Sequence, residues 1–336
     1  MSTMREKFLR RMRNDNPDWL GDPWDCFATP PIAHGPVGFD ATTLAGPPRV
    51  HGEFTDAWGV HWRWPDGEPA PTPHITPENK LVKDLSKWRE SVKAPNIENL
   101  DWKPFEDAYA ALDREEYLVM VMAACGMFEF SHRVMGFEDA LVAYLLEPDD
   151  MIEMLTYYTD FKLRQAELIC DHIKPDIIHS HDDWGNKRSM FLSPEVWREC
   201  IKPHFVRLYG YYKSRGVLIQ HHSDCVNDAI AEDMVELGID MWQGCIPEND
   251  IKGVVERTEG KLCVMGGIDI QKVDLPDVSE QVIRDEVRRA IDEYAPLGCF
   301  MPNISSVLAL YPRTGEILRD EMNKYGAQWM EQNCGK

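Results

Sequence analysis

From residue 117 onward the chain repeats one rhythm, a short apolar run ending in polar residues and then a stretch with helical spacing. The runs lie at 117–122, 176–181, 217–222, 239–242, 261–265 and 298–301. Helical patterns follow at 136–145 and 148–173, then 193–213, 226–237, 250–258, 279–294 and 314–329. Buried strands that alternate with helices pair in parallel, because a parallel return needs a crossover on one face of the sheet. Leu118-Val119-Met120-Val121-Met122 is apolar without alternation, the mark of a strand covered on both faces. Ser193 before Pro194 reads as a helix start, a side-chain cap followed by a residue whose missing N–H is not needed there. No Gly-x-Gly-x-x-Gly follows the first strand, which disfavours an open dinucleotide-binding sheet. The predicted fold is therefore α/β, a (β/α)8 TIM barrel. Six strands are clear, and the missing pair is assigned to 123–134 and 299–311, where strand and loop look alike in sequence.

A length of 336 residues suits one barrel of about 250 residues with an addition. The addition is N-terminal: an amphipathic helix at 4–13, a Pro- and Gly-rich stretch at 14–49, a hairpin at 50–66 around Trp58-Gly59, and a second Pro-rich connection to 78. Trp58, Trp62 and Trp64 do not belong in a free linker, so this segment is predicted to pack on the barrel. The predicted organisation is 1–78 as helix, loops and hairpin serving as lid or partner surface, and 79–336 as the catalytic barrel. Helices are predicted at 80–92 and 102–112.

The net charge of −21 argues against nucleic acid and anionic membrane as partners. No run of eighteen apolar residues exists, and the first residues lack the apolar core of a signal peptide. Nine cysteines, an odd number scattered without a CxxC pair, fit a reducing compartment, so a cytoplasmic location is expected.

The residues just past each strand form a dense set: His179, His181, Asp182 and Asp183; His221, His222, Asp224 and Cys225; Gln243, Cys245 and Glu248; Gly266, Gly267 and Asp269; Asn303. In a barrel these ends converge at one face, where acids, imidazoles and thiols together allow metal binding, proton transfer or both. A catalytic zinc takes about three protein ligands and keeps one position open. Here His222 and Cys225, completed by Cys245, Glu248 or an Asp, are the candidate ligands. Asp182 and Asp183 are adjacent on an extended chain, so at most one enters the site while the other caps a turn. Gly266-Gly267 would let backbone approach a ligand closely. Trp184 and Trp242 are candidates to wall an aromatic ring.

These residues resemble a known group. His181-Asp182-Asp183-Trp184-Gly185, then Leu192-Ser193-Pro194-Glu195 and Ile201-Lys202-Pro203, resemble the "DDxG…SPE…KP" segment of the uroporphyrinogen decarboxylase superfamily. His222-Ser223-Asp224 is similar to its "HSDG" strand end, with Cys225 where glycine is usual. Glu236-Leu237-Gly238-Ile239-Asp240 resembles its "EIGVD", and Gly266-Gly267-Ile268-Asp269 its "GGID". The likeness spans about 100–310, and Arg5 to Arg10 resembles the superfamily's opening helix.

The resemblance implies a (β/α)8 barrel with its site at the carboxyl ends of the strands. The "RQAGRY" segment with which true uroporphyrinogen decarboxylases grip propionates has no counterpart here. Coenzyme M methyltransferases of the superfamily bind zinc through an HxC pair and a "PGCG" turn; this chain has Pro302-Asn303-Ile304 in place of that turn. The better match is the corrinoid-dependent O-demethylase branch, in which a small methylated substrate, here an aryl methyl ether, gives its methyl group to Co(I). That chemistry needs an acid on the leaving oxygen, either zinc or a protonated residue among His181, Asp182, Asp183, His222 and Asp224. Gly266, Gly267, Asp269 and Asn303, with the two tryptophans, would contact substrate. The corrinoid (cobalamin) would arrive on a partner protein, since no DxHxxG motif is present. A homodimer is compatible with the resemblance. The alternatives are a uroporphyrinogen-type decarboxylase, a methylcorrinoid:thiol methyltransferase and a non-catalytic barrel.

Overall fold

Parallel pairing in chain order dominates the computed structural model, which describes residues 2–30, 51–66, 71–123, 125–306 and 309–334. Ten strands occur among these residues: β1 Phe27–Ala28, β2 Gly52–Thr55, β3 His61–Trp64, β4 Thr72–Pro73, β5 Leu118–Met122, β6 Ile177–His181, β7 Leu218–His222, β8 Met241–Cys245, β9 Cys263–Gly267 and β10 Phe300–Asn303. Seven form one parallel sheet in the order β1-β5-β6-β7-β8-β9-β10, and β2-β3-β4 form a small antiparallel sheet. The arrangement is TIM-like, but its ladder does not close among the described residues. Side chains that precede β1 reach the β10 side instead: Trp24 Nε1 donates to Asn303 Oδ1 at 3.3 Å, and Arg11 of the Met4–Arg13 helix donates to the Phe300 and Ala295 carbonyls at 2.9 and 3.1 Å.

The predicted eighth strand at 123–134 is a helix, Met127–Met135. Almost every residue of that helix is buried, and a segment this short, with Phe128 and Phe130 alternating with Glu129 and Ser131, is easily read as a strand. The 299–311 stretch holds only the strand already expected at 298–301, Phe300–Asn303, and no additional one among the described residues. The seventh strand, β1, is only two residues long and lies in the stretch read as loop. The 80–92 prediction reduces to a 3-10 turn at Leu85–Lys87 and one helical turn at Trp88–Ser91, while Lys103–Ala110 is helical as expected.

Leu118, Met120, Ile177, Met241, Cys263, Met265 and Met301 fill the inside of the curved sheet, together with Phe8 and Met12 of the Met4–Arg13 helix. Unbranched methionine suits a core assembled from several strands, because it adapts to irregular gaps. A larger apolar layer packs the surrounding helices on the outer face.

Asp56 organises the hairpin by accepting from Trp58 N and Val60 N, both at 2.9 Å, and from Trp62 Nε1 at 2.8 Å. Trp58 packs edge-on against Phe130, Tyr158 and Phe161, and Arg133 lies 5.1 Å from the Trp62 ring. Residues 31–50 and 67–70, which carry much of the predicted lid, lie outside the described residues. Among the described residues no helix is long and apolar enough to cross a membrane.

Candidate active site

Alternation along β6 and β7 decides which side chains meet at the strand ends. His221 turns to the helical layer, where it stacks on Trp184 with ring centroids 4.1 Å apart and pairs through Nδ1 with the Tyr209 hydroxyl at 2.7 Å. His222 turns the other way, toward His179 and His181 on β6. His179 sits deeper, bonded through Nδ1 to Gln220 at 2.7 Å, and burial followed by the nearby His222 pushes its pKa down to about 3. It is neutral at physiological pH and stays part of the interior.

His181 and His222 stack with centroids 4.3 Å apart and planes 16° from parallel. His181 Nδ1 lies 2.9 Å from Glu129 Oε1, and its Nε2 lies 3.9 Å from Asp183 Oδ2. His222 Nδ1 bonds to the Gln243 side-chain oxygen, and its Nε2 lies 3.8 Å from Asp183 Oδ1. Gln243 Nε2 donates to the Ser305 carbonyl at 3.2 Å, which turns its amide oxygen toward the imidazole. His222 therefore carries its proton on Nδ1 and presents a lone pair at Nε2. Asp183 is steadied by Asp224 N, which donates to Oδ1 at 3.1 Å.

Charge follows from these contacts. Burial alone would neutralise His181, but Glu129 and then Asp183 raise it to about 9. Against the same burial, His181 and Arg133 hold Glu129 well below the usual carboxylate range. Arg133 is paired to Glu129 at 2.8 Å. Burial and the adjacent His181 hold His222 below its ordinary value, and burial raises Asp183. At neutral pH the trio thus has one charged imidazole and one neutral imidazole, with the Asp183 carboxyl group between them.

The His181 shift predicts a pH effect in the metal-free protein. A histidine at about 9 when folded and about 6.5 when unfolded adds stability that is complete below pH 6.5 and lost as pH rises through 9. The gap in urea midpoint between wild type and His181→Gln should therefore shrink between these limits; a gap independent of pH would show that His181 is not charged.

The two adjacent acids divide as alternation requires. Asp182 is fully buried and accepts from Phe128 N at 3.1 Å, Glu129 N at 2.8 Å and Trp184 Nε1 at 2.7 Å. It caps the Met127–Met135 helix from below the site, and burial, then Glu129, raises it to about 7. Asp183 faces a cleft of about 460 Å³, within the usual range for small-molecule sites. Asp224, Glu248 and Asp269 also line this cleft, with Lys187 as its cation and Phe191, Ile246, Pro247 and Ile270 as its apolar wall.

Several predicted residues fall elsewhere. Trp184 and Trp242 are 1% and 0% exposed, and their indole N–H groups are used by Asp182 and the Ser223 carbonyl; they lie beneath the cleft and wall nothing. Gly266 and Gly267 make room for the protein itself. A Cβ on Gly266 would lie 2.1 Å from the Cys245 carbonyl oxygen beside the bulge in β8, and one on Gly267 (φ +81°) 2.9 Å from the Tyr294 ring. Gly266→Ala should cost about 3 kcal/mol or more and sharply lower the thermal midpoint, because backbone cannot yield as a side-chain tip can; a near-normal melt would refute the overlap. Asn303 is 2% exposed and bonded to Trp24. Asp269 lines the cleft while capping the short Ile270–Val273 helix.

The predicted zinc set does not assemble. Cys245 is buried apart from the histidines, with Sγ 4.0 Å from the Ile246 carbonyl, and neither Cys245 nor Glu248 joins a group of converging donors among the described residues. Two groups do converge, each with ligand atoms within 4.8 Å of one another: His181, Asp183 and His222, and Asp183, Asp224 and Cys225. The Cys225 thiol donates to the Gly185 carbonyl at 2.9 Å, and burial, followed by Asp183 and Asp224, pushes its pKa up.

Glu129 and Arg133 escape the sequence reading as site residues, because a strand or loop over 123–134 places neither beside the β6 end. Their signal is the i,i+4 Glu–Arg pair, which reads as helical once Gly126 is taken as the start. A Cβ on Gly126 would lie 2.3 Å from the Asp182 side chain, so glycine is what lets that carboxylate reach the helix end.

Comparison with solved structures places this geometry on a known architecture. The chain superposes on a methyltransferase from Methanosarcina mazei with a TM-score of 0.66 at 13% identity, covering 97% of this chain and 99% of that one. At that identity the likeness is one of fold. A chain of the Amycolatopsis orientalis BexX/CysO complex overlaps loosely, with a TM-score of 0.29 at 12% identity over 68% of this chain and 75% of that one, and carries no argument. No family profile and no curated protein sequence matches.

Proposed function

We propose that this protein is a methyltransferase that moves a methyl group from a small methylated donor, an aryl methyl ether in the first instance, to the Co(I) corrinoid of a partner protein. The observation that carries the reading is the convergence of His181, Asp183 and His222 beside a cleft at the strand ends. A barrel site lies at this face, and the fold shared with a methyltransferase supports the same reaction class.

The partner's corrinoid, as the methyl acceptor, would supply the electron pair for the new bond to carbon. The pair of the breaking C–O bond stays on oxygen, and that oxygen needs a positive centre or a proton as it leaves. Glu129 holds a proton on His181 at neutral pH, and Glu129 and Gln243 orient the His181 and His222 rings so that each Nε2 faces Asp183. A cleft of about 460 Å³ accommodates one substituted ring, with Phe191, Ile246 and Ile270 for its apolar faces. Phe191 takes over the aromatic role expected of the buried tryptophans.

The test is methyl transfer from a panel of methoxyarenes to Co(I) cobalamin, followed by the change in corrin absorbance. Turnover of at least one donor, lost in His222→Ala, is expected. No transfer from any donor would remove the reading and restore weight to a decarboxylase, which the acidic cleft otherwise disfavours.

A further inference from the structure

Of the zinc donors expected from the sequence, His222 and Cys225 fall into two different converging groups, and Cys245 and Glu248 fall into neither among the described residues. We propose that His181 Nε2, the Asp183 carboxylate and His222 Nε2 form a site for one divalent first-row transition metal, Zn2+ foremost, with no cysteine ligand. The proposal deepens the reading of this cleft as the reactive site, but metal binding alone decides it.

Both imidazoles are prepared in the way metal-bound histidines are. Each has Nδ1 beside an outer oxygen, Glu129 Oε1 at 2.9 Å for His181 and the Gln243 side-chain oxygen for His222, and each turns Nε2 toward Asp183. Such outer contacts fix the ring and its tautomer. The spacing agrees. Nε2-to-oxygen separations of 3.9 and 3.8 Å are too long for hydrogen bonds. Two donors ~2.1 Å from one tetrahedral ion stand about 3.4 Å apart, so a modest inward movement of the three groups would seat the ion. Asp183 also lines the cleft, so three protein ligands would leave an open coordination position toward substrate, the pattern of catalytic rather than structural zinc. The cation would replace the His181 proton, keeping positive charge beside the leaving atom.

The rival set, Asp183, Asp224 and Cys225, is weaker as a first site. The Cys225 thiol is committed to the Gly185 carbonyl, and two carboxylates beside it oppose the thiolate that a metal needs.

The experiment is a Co2+ titration of the chelator-stripped full chain, read by absorbance. We expect one equivalent per chain, visible ligand-field bands, no sulfur-to-cobalt charge-transfer band, and displacement by Zn2+. Cys225→Ser should leave stoichiometry and spectrum unchanged, while His181→Gln and Asp183→Asn should each weaken binding by more than about 100-fold, beyond the roughly 10–100-fold of an outer-contact change. Gln243→Ala, which removes no ligand, should weaken it by about 10–100-fold and keeps the test open if a ligand variant fails to fold. A thiolate band lost in Cys225→Ser, absence of stoichiometric Co2+, or unchanged binding in both ligand variants would overturn the site. Stoichiometric Co2+ without methyl transfer would leave the metal site standing and remove only the proposed reaction.

Discussion

Replacing Asp182 by alanine should lower unfolding free energy by roughly 3–9 kcal/mol, seen as a fall in the urea midpoint with little change in slope. The carboxylate is 0% exposed and serves three donors, Phe128 N, Glu129 N and Trp184 Nε1. Truncation leaves all three buried and unpaired, at about 1–3 kcal/mol each, and water has little room to replace the lost oxygens. The damage should extend into the site, because the same helix end presents Glu129 to His181. Asp182→Asn, which keeps one acceptor oxygen, should lie between wild type and alanine. A loss below about 1 kcal/mol in Asp182→Ala would show that the helix start is capped by something else.

Asp183→Asn should do the opposite. Its side chain is 29% exposed at the cleft, and an asparagine oxygen can still accept from Asp224 N. Stability should therefore change by less than about 1 kcal/mol, as for other partly exposed substitutions that leave no buried group unpaired. Methyl transfer should fall by about 10²–10⁴-fold in kcat/KM, the range associated with positioned acid–base groups. The loss arises because asparagine supplies no carboxylate between the two Nε2 atoms, which removes a ligand for a cation and weakens the hold on the His181 proton that Glu129 also provides. Wild-type turnover in Asp183→Asn would sink the assignment of this trio as the reactive centre. The neighbouring substitutions thus separate folding from chemistry within one dipeptide, since one side chain points into the protein and the next into the cleft.

The contrast marks how far the sequence could be read. The parallel strands 118–122, 177–181, 218–222, 241–245, 263–267 and 300–303 were legible because apolar runs buried on both faces leave a continuous signal. The polar ends of β6 and β7 were legible for the same reason, since the run stops where the side chains change. That only one of Asp182 and Asp183 could enter the site followed from strand alternation, but which one did not. The choice depends on the Met127–Met135 helix, whose free N–H groups draw in Asp182 and whose start at Gly126 has room for it.

Glu129 and Gln243 show a further limit. Each acts on a histidine at the end of a different strand, at a sequence distance over which no local pattern extends. The cysteines mark another, because a buried thiol and a metal ligand look identical in composition. Tertiary placement set Cys245 apart and turned Cys225 to a backbone carbonyl. The two tryptophans after the strands looked like cleft walls until packing placed both beneath it.

Sequence by itself determined the alternation of strand and helix, the face on which polar residues collect and the residue types available there, because periodicity and burial are local properties of the chain. Tertiary structure alone decided that the ladder stays open between β1 and β10 among the described residues, which acid faces the cleft and which donors converge, because those depend on distances between segments that the chain brings together only when it folds.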